Sequence, residues 1–596
     1  MTDATDEFRL VSDQDAHPQA EWEAAAAAVL RRSGKLKDAQ PDADVWVQLA
    51  TDSLAGIEIP PLGTPAMLDG LADTGAPGSA PYTRGRLAAR PEHGWDIRPS
   101  QLVTDAAETN EAVLADLENG ATSLWLTLRG DAPLAAVLDG VLLDLAPVVL
   151  DAPSAPVAAA RELLALLAER GIAPAAGTNL GADPIGNRVR GQVSATEELL
   201  EIARLARDAG ILAVVVDATA VHDLGASEWL ELGYSMAVGS TYLRLLTEAG
   251  FGLEEAMGLI EFRYAATDDQ FLTIAKLRAA RRLWHRVGEL SGAGVDAPGQ
   301  RQHAVTSRPM MAKYDPWVNM LRTTVAAFAA GVGGADAVTV LPFDAALGLP
   351  DAFSRRIARN TSSLLIAESH VAKVADPAGG SYAVEKMTDD LARSSWTALD
   401  QIENEGGIEA AIASGWLAGT IGDNRGARRG RIAGRRQPIT GVSEFPNLAE
   451  VLPERAPYPE GAVQVARYGA DFEALRDEPA SQPVFLATMG TVAAHTARAG
   501  FAANLLAAGG VTTVPAGATA GVADVMAAYA GQAVVCLAGP DAAYADWGAE
   551  LVTALRAAGA RHVIVAGRPD GLEVDDACSL RMDAVKFLTR TREKLS

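Results

Sequence analysis

The feature that most restricts the fold of this sequence is a repeated alternation of apolar runs and amphipathic helical segments, between about residue 100 and about residue 400. The runs SLWLTL, LDLAPVVLD, LAVVVDA and AVTVLPF are bounded by turn residues and predict buried parallel strands. Helical spacing is clear in the intervening segments SATEELLEIARLARDAG and SEWLELGYSMAVGSTYLRLLTEAG. Such β-then-α units predict an α/β fold with a (β/α)8 barrel of the TIM type, although the pattern alone leaves an open doubly wound sheet possible.

A second and shorter alternation begins at about residue 482. The runs PVFLATMG, GVTTVPAG, AVVCLAG and RHVIVAG are separated by helical segments. This arrangement predicts a small, flavodoxin-like, doubly wound domain, in which ligands bind at the carboxyl ends of the strands. In this chain those ends are Met489-Gly490, Ala538-Gly539 and Ala566-Gly567.

With 596 residues the chain is too long for one hydrophobic core. We predict four regions: an N-terminal arm at 1–80, the barrel at 81–400, a helical and Arg/Pro-rich linker at 401–480, and the flavodoxin-like domain at 481–596. The arm combines EWEAAAAAVLRR with a Pro/Gly/Asp-rich stretch and offers little to bury. We therefore expect it to wrap a partner subunit.

The composition excludes several functional classes. A formal net charge of −25 argues against nucleic acid as a partner and against an anionic membrane surface. The acidic N-terminal residues resemble no secretory signal, and no apolar stretch is long enough to span a bilayer. The two cysteines, Cys536 and Cys578, form neither a disulfide framework nor a thiolate metal cluster. We expect a cytoplasmic protein.

Six arginines lie close together in the predicted linker of this acidic chain: Arg425, Arg428, Arg429, Arg431, Arg435 and Arg436. A solvated helix face or a salt-bridged domain junction explains such a cluster, and an anion site is the alternative.

Three stretches resemble the acyl-CoA mutase family. They are PYTRG with the following WDIRPS, the segment from Phe343 to Leu391, and RIAGRRQPITGV before the linker ends. The resemblance implies a TIM barrel threaded by coenzyme A, a linker, and a C-terminal cobalamin-binding domain. In that family the cobalt–carbon bond breaks homolytically, and the radical rearranges the carbon skeleton of the acyl-CoA.

Catalytic members of the family hold cobalamin with a D-x-H-x-x-G turn after the first strand of the C-terminal domain. The histidine ligates cobalt, the aspartate orients it, and the glycine lets the backbone approach the nucleotide tail. The corresponding positions here are Val492, Ala494 and Ala497. His495 lies one residue beyond the ligand position, which rotates its side chain by about 100° on a helix, so we predict no ligation by it. At the tail-side strand, Cys536 is predicted to be a buried structural thiol.

The barrel departs from the family pattern in the same way. The family's active-site tyrosine corresponds to Ser100 and its strand-end histidine to Ala220, while His222 falls where the family has glutamine. The segment that lines coenzyme A in the family, after PYTRG, is replaced here by the sequence LAAR at Leu87 to Arg90. Some binding residues remain and predict either a partial anion site or, as we favour, contacts that stabilise the barrel or the subunit interface: Tyr82, Thr83, Arg84, Arg301, His303, Thr306 and Ser307.

Since these catalytic groups act as a unit, their joint loss predicts no catalytic, cofactor-binding or metal-binding residue on this chain. The chain resembles the small-subunit branch of the family, found in heterodimeric methylmalonyl-CoA mutases of propionate metabolism. That resemblance implies a large catalytic partner that carries adenosylcobalamin and interconverts (R)-methylmalonyl-CoA and succinyl-CoA. Two alternatives stay open: an autonomous mutase for another acyl-CoA, with His495 or no protein nitrogen below cobalt, and a scaffold for a mutase chaperone or regulatory GTPase.

Overall fold

The structure is a computed structural model that describes residues 17–129, 133–295, 297–568 and 571–595. Its first elements are α1 (Gln19–Arg32), α2 (Val45–Leu49) and the antiparallel pair β1 (Thr51–Asp52) and β2 (Glu58–Ile59). The two helices form a small core of their own, separate from the main core. This small core contains Ala27, Leu30, Leu36 and Val45, with Trp22 and Trp46 packed against it. The first 16 residues of the predicted arm lie outside the described residues.

A parallel sheet of nine strand segments follows, and it closes into an eight-stranded barrel. The segments are β3 (Asp96–Ile97), β4 (Ser100–Val103), β5 (Leu124–Leu128), β6 (Val148–Asp151), β7 (Asn179–Ala182), β8 (Leu212–Asp217), β9 (Ile260–Ala266), β10 (Arg301–Thr306) and β11 (Ala337–Thr339). We treat β3 and β4 together as the first barrel strand, interrupted at Arg98 and Pro99. Because β3 pairs with β11 and β4 pairs with β5, the sheet has no free edge between its first and last strands. This closure confirms the barrel and excludes the open sheet.

The helices that cover the barrel carry the amphipathic faces expected from the sequence. They are α3 (Ala106–Glu118), α4 (Leu134–Val137), α5 (Pro156–Arg170), α6 (Pro184–Val189), α7 (Thr196–Ala209), α8 (Thr219–His222), α9 (Glu228–Glu248), α10 (Leu253–Gly258), α11 (Gln270–Leu290), α12 (Val318–Gly333), α13 (Ala352–Ser363), α14 (Tyr382–Asn404), α15 (Ile408–Ala413) and α16 (Trp416–Ala433). Aspartates cap several of them; the Asp351 carboxylate accepts from the Ser354 N–H at 2.8 Å. Helices α9 and α14 approach closely at Gly233, where an added Cβ would lie 2.5 Å from the Cβ of Ala398.

The C-terminal domain begins after α17 (Ala470–Asp477) and is a five-stranded parallel sheet with helices on both faces. Its elements are β12 (Val484–Thr488), α18 (Val492–Ala508), β13 (Thr513–Pro515), α19 (Val522–Ala528), β14 (Val534–Ala538), α20 (Asp541–Ala543), α21 (Ala549–Ala557), β15 (His562–Ala566), β16 (Asp576–Cys578) and α22 (Ala584–Leu595). Within this sheet the strands follow the order 2-1-3-4-5 of flavodoxin-like folds. The predicted fold class is thereby confirmed for both parts.

Among the described residues, no helix combines the length and the apolar character needed to cross a bilayer.

Candidate functional site

The barrel axis is where a threaded substrate would lie, and here charged side chains meet across it. Arg98 Nη1 donates to Glu261 Oε1 at 2.8 Å, and both side chains are fully buried. Arg98 follows β3 and Glu261 lies on β9, which are not neighbouring strands, so their side chains meet inside the barrel. Arg301 Nε donates to the other oxygen of Glu261 at 3.0 Å. One carboxylate thus bridges two guanidinium groups in the interior.

An aromatic and cationic stack fills the next layer of the interior. The guanidinium carbon of Arg263 lies 3.8 Å from the ring centroid of Trp125, and the ring of His303 meets the same indole edge-to-face at 5.5 Å. Arg263 Nε donates to His303 Nδ1 at 3.1 Å, and Arg263 Nη1 donates to Asp217 Oδ2 at 2.8 Å. Trp125 lies on β5, far around the sheet from β9 and β10, so these contacts also cross the bore.

The ionisation of this layer follows from burial and the surrounding charges. Burial raises the pKa of Glu261, but the charges of Arg98, Arg301 and Arg263 outweigh it and leave that pKa below its ordinary value. Burial lowers the pKa of His303 well below its ordinary value, and the nearby arginines act in the same direction. His303 is therefore neutral, and its Nε2 donates to Thr339 Oγ1 at 2.7 Å.

At the amino-terminal end of the barrel, the remaining family-like residues are engaged in structural contacts. Arg84 pairs with Asp376 at 3.0 Å, and the Tyr82 hydroxyl donates to the carbonyl of Ala297 at 2.8 Å. The carbonyls of Tyr82 and Thr83 both accept from Arg281. These contacts join the PYTRG segment to the barrel, as the stabilising interpretation predicts.

His222 lies at the carboxyl end of the barrel, between Ser307, which follows β10, and Glu231 of the helical layer. It is 2% exposed, its Nε2 lies 2.7 Å from Ser307 Oγ, and its Nδ1 lies 3.4 Å from Glu231 Oε2. Glu231 on α9 in turn accepts from Lys276 Nζ on α11 at 2.7 Å. His222 is thus a hydrogen-bonded buried residue beside Asp223, which agrees with the structural interpretation. Ala220, on α8, is also buried.

The linker crosses the carboxyl-terminal mouth of the barrel and forms what we call the roof, residues 455–468. Four backbone contacts fasten it: Ala456 O accepts from Leu349 N at 2.8 Å, Gly461 O from Arg129 Nη1 at 2.9 Å, Asp223 O from Ala466 N at 2.7 Å, and Pro309 O from Tyr468 N at 2.8 Å. Arg455 adds ion pairs to Asp344 and Asp351. Because the attachment points follow barrel strands β5, β8, β10 and β11, the roof spans the mouth.

The arginine cluster lies at the junction between the barrel, the linker and the C-terminal domain. Arg429 makes a bidentate pair with Asp471, at 2.8 and 2.7 Å. Arg435 pairs with Glu444. Arg428 is buried and lies 4.7 Å from the ring centroid of Tyr468. These contacts support the salt-bridged domain junction.

In the C-terminal domain, the predicted strand ends come together at one edge of the sheet, because β12, β14 and β15 are parallel neighbours. Val492, Ala494 and Ala497 lie in the first turns of α18 with exposed side chains, and none offers a ligand nitrogen. His495 is 7% exposed and its Nδ1 lies 3.2 Å from the carbonyl of Gly490. Its ring therefore bonds to the turn before its own helix.

Arg498, which the sequence did not single out, occupies the crevice at these strand ends. Its Nη1 donates to the carbonyl of Gly539 at 2.7 Å, and its guanidinium lies 5.1 Å from the ring centroid of Tyr544. An added Cβ at Gly567 would lie 3.4 Å from the Arg498 guanidinium carbon. The side chain thus lies across the ends of β14 and β15. Cys536 lies on β14 and is buried. A hydrogen bond with Cys578 and burial raise the pKa of the Cys536 thiol, as expected for a structural cysteine.

Comparison with known proteins gives the family. The family model for methylmalonyl-CoA mutase matches residues 52–141 and 199–532. The chain belongs to the methylmalonyl-CoA mutase family. It is 48% identical to the methylmalonyl-CoA mutase small subunit of Streptomyces virginiae, with 96% of each chain covered. It is 36% identical to the small subunit from Propionibacterium freudenreichii subsp. shermanii, over 98% of this chain and 96% of the other. The resemblance to the small-subunit branch of the mutase family is confirmed.

Several site features of this mutase-family chain were absent from the sequence predictions. The alternation of Glu261 and Arg263 within an otherwise apolar strand was a usable signal, because charges in a buried strand need partners inside the protein. The path of the roof and the position of Arg498 had no such signal. Within the described ranges, no three His, Cys, Asp or Glu side chains converge in a way that could hold a metal ion.

Proposed function

We propose that this chain is a non-catalytic small subunit that pairs with and stabilises the catalytic large subunit of methylmalonyl-CoA mutase. The large subunit would interconvert (R)-methylmalonyl-CoA and succinyl-CoA by an adenosylcobalamin-dependent radical mechanism, in the cytoplasm. The observation that carries the proposal is the filled bore, in which Arg98, Glu261, Arg263, Trp125 and His303 contact one another across the axis. A coenzyme A ester threaded along that axis would have to displace a buried charge network, which is costly.

The residues of the C-terminal domain do not fit a cobalamin. A lower axial ligand needs an imidazole nitrogen free to reach the cobalt, and the His495 ring is buried and bonded to Gly490. The nucleotide tail needs an open crevice, where Arg498 lies here. We therefore place the adenosylcobalamin of the complex on the partner.

Two features support pairing with a second chain. The relatives described above are named small subunits, which implies a larger partner for them. In this chain, the α1–α2 unit has a core separate from the barrel and exposes Val29 and Val47, at 54% and 77%. Exposed apolar side chains on a projecting unit favour a contact with another chain. We propose that this unit, within the arm at 1–80, contributes to the subunit interface.

A cobalamin titration tests the proposal. The isolated chain should bind no adenosylcobalamin in visible absorption, whereas a one-to-one complex with its large subunit should hold one cobalamin and catalyse the mutase reaction. The variant His495→Ala should form the same complex with the same cobalamin content, since the His495 ring bonds to the carbonyl of Gly490 in the turn before its own helix.

Other outcomes would support the alternatives. A base-off, histidine-ligated spectrum from the isolated chain, lost in His495→Ala, would establish an autonomous mutase and overturn the proposal. Capture of a mutase-associated GTPase chaperone, with no affinity for the large subunit, would instead establish a scaffold.

A further inference from the structure

A cavity of about 710 Å³ lies where the first and last barrel strands separate. The ladder between them reaches only Arg98, whose N–H donates to Val338 O at 3.1 Å and whose carbonyl accepts from Thr339 Oγ1 at 2.6 Å. Pro99 then interrupts the strand, and the continuation β4 pairs with β5 alone. The barrel wall is therefore open at its carboxyl end between β4 and β11. We call this opening the seam.

Two helices form the side walls of the seam cavity. Ala112 and Asp116 on α3 are four residues apart and both face the cavity. Arg355 and Arg359 on α13 have the same spacing and also face the cavity. The inner end is closed by Asp116, which accepts from Arg359 Nη1 at 2.6 Å and from Gln101 Nε2 at 2.7 Å. The cavity thus extends from the space between the two helices to the barrel mouth beneath the roof, where Leu102, Thr127 and Arg308 line it.

The floor and the cover of the seam cavity are largely apolar. Leu102, Met311, Leu341 and Leu349 line it from the barrel side, and Val463 lines it from the roof. A volume of about 710 Å³ lies within the range of small-molecule sites, and a lining of apolar side chains with a few polar groups is their usual composition.

The charged groups of the lining are mainly arginines, in a chain whose net charge is −25. Most of them are neutralised, as Arg359 is by Asp116 and Arg455 by Asp351. Arg355 and Arg129 differ, because neither forms an ion pair with a carboxylate of the described residues. Arg355 Nη1 donates to the carbonyl of Pro350 at 2.9 Å, and Arg129 Nη1 donates to the carbonyl of Gly461 at 2.9 Å. A half-buried guanidinium that is not held in an ion pair, beside an apolar surface, suits an anion with an apolar body.

We propose that the seam cavity binds a small aliphatic carboxylate, with its carboxylate at Arg355 and its chain against the floor. This inference goes beyond the proposed function and does not depend on it.

The test is calorimetric titration of the full-length chain with octanoate. Saturable binding of one octanoate per chain is expected, and octanol and octylammonium should bind at least about tenfold more weakly because they lack the carboxylate. Arg355→Gln should weaken octanoate binding about tenfold or more. The matched control Arg161→Gln removes an exposed arginine paired with Glu201 on the helical surface and should leave the affinity unchanged.

A second variant locates the site by volume. Ala346 lines the cavity, and Ala346→Phe should fill it and abolish binding, while thermal melting confirms that the variant is folded. Equal binding of octanoate and octanol, or octanoate binding that survives both Arg355→Gln and Ala346→Phe, would overturn the proposal. So would the absence of binding to the unmodified chain. Complex formation with the large subunit should be unaffected by either variant, which separates this result from the test of subunit pairing.

Discussion

Glu261→Ala is expected to lower the free energy of unfolding by about 3–5 kcal/mol, the usual cost of removing one partner of a buried ion pair. Glu261 is the carboxylate that both Arg98 and Arg301 contact, at 2.8 and 3.0 Å. After its removal, Asp96, at 3.5 Å, is the one carboxylate among the described residues that still pairs with the fully buried Arg98. The matched control Glu201→Ala breaks the exposed pair with Arg161 and should cost less than about 1 kcal/mol. Urea unfolding followed by circular dichroism measures both values.

The same carboxylate predicts a pH dependence. The pKa of Glu261 is lowered in the folded protein, since its arginine neighbours outweigh burial. Its contribution to stability is therefore fully present above the ordinary glutamate pKa of about 4.3 and is lost as the pH falls through the folded-state pKa. Glu261→Ala should lose less stability on acidification than the unmodified chain. An equal loss in the two proteins, or equal costs for Glu261→Ala and Glu201→Ala, would contradict a charge network in the bore.

The fold could be predicted from the sequence because buried parallel strands are nearly continuous apolar runs, and the runs at β5, β6, β8 and β11 were of this kind. Closure of the barrel could not be predicted in this way. It depends on the pairing of β3 with β11, whose residues are about 240 positions apart in the sequence. The spacing of apolar residues within a short segment cannot predict such a distant contact.

The candidate site was predictable only where a motif position could be compared. The D-x-H-x-x-G turn of the family has Val492, Ala494 and Ala497 at its three motif positions here, so the sequence alone predicted the loss of the cobalt ligand. The structure adds that the three side chains are exposed. The ion pair in the bore is different, because the sequence does not show that Arg98 and Glu261 are partners; only the closed barrel brings them to 2.8 Å. The roof depends on the path of a linker that has no regular structure over most of its length.

The filled bore and the roof have a common physical consequence. In a barrel that must admit a substrate, the axis has to stay open and the mouth accessible. Here the axis contains cross-barrel ion pairs and an aromatic stack. The roof, residues 455–468, covers the mouth and is bonded to the segments that follow the barrel strands. Both features join strands that are not neighbours in the sheet, so they stiffen the barrel. A rigid surface suits a subunit whose proposed role is to stabilise a partner.

Gly181→Ala should also be strongly destabilising, and for a steric reason. Gly181 lies in β7 with a φ of +75°, and an added Cβ would lie 1.8 Å from the carbonyl oxygen of Leu150 on the neighbouring strand. The colliding atom belongs to the backbone of β6 and cannot rotate away. Left-handed strain of about 1–2 kcal/mol and overpacking of about 1–3 kcal/mol together predict a loss of about 2–5 kcal/mol, or failure to fold.

Gly171→Ala is the matched control, because it separates the collision from the backbone strain. Gly171 ends α5 with a φ of +65° and nothing within 4 Å of an added Cβ. Both substitutions carry the same change in unfolded-chain entropy and similar left-handed strain, so Gly171→Ala should cost only about 1–2 kcal/mol. Thermal and urea unfolding of the two variants give the difference directly. If they prove equally stable, β6 and β7 can separate without cost at Gly181, and the barrel wall is not the rigid structure on which a stabilising subunit depends.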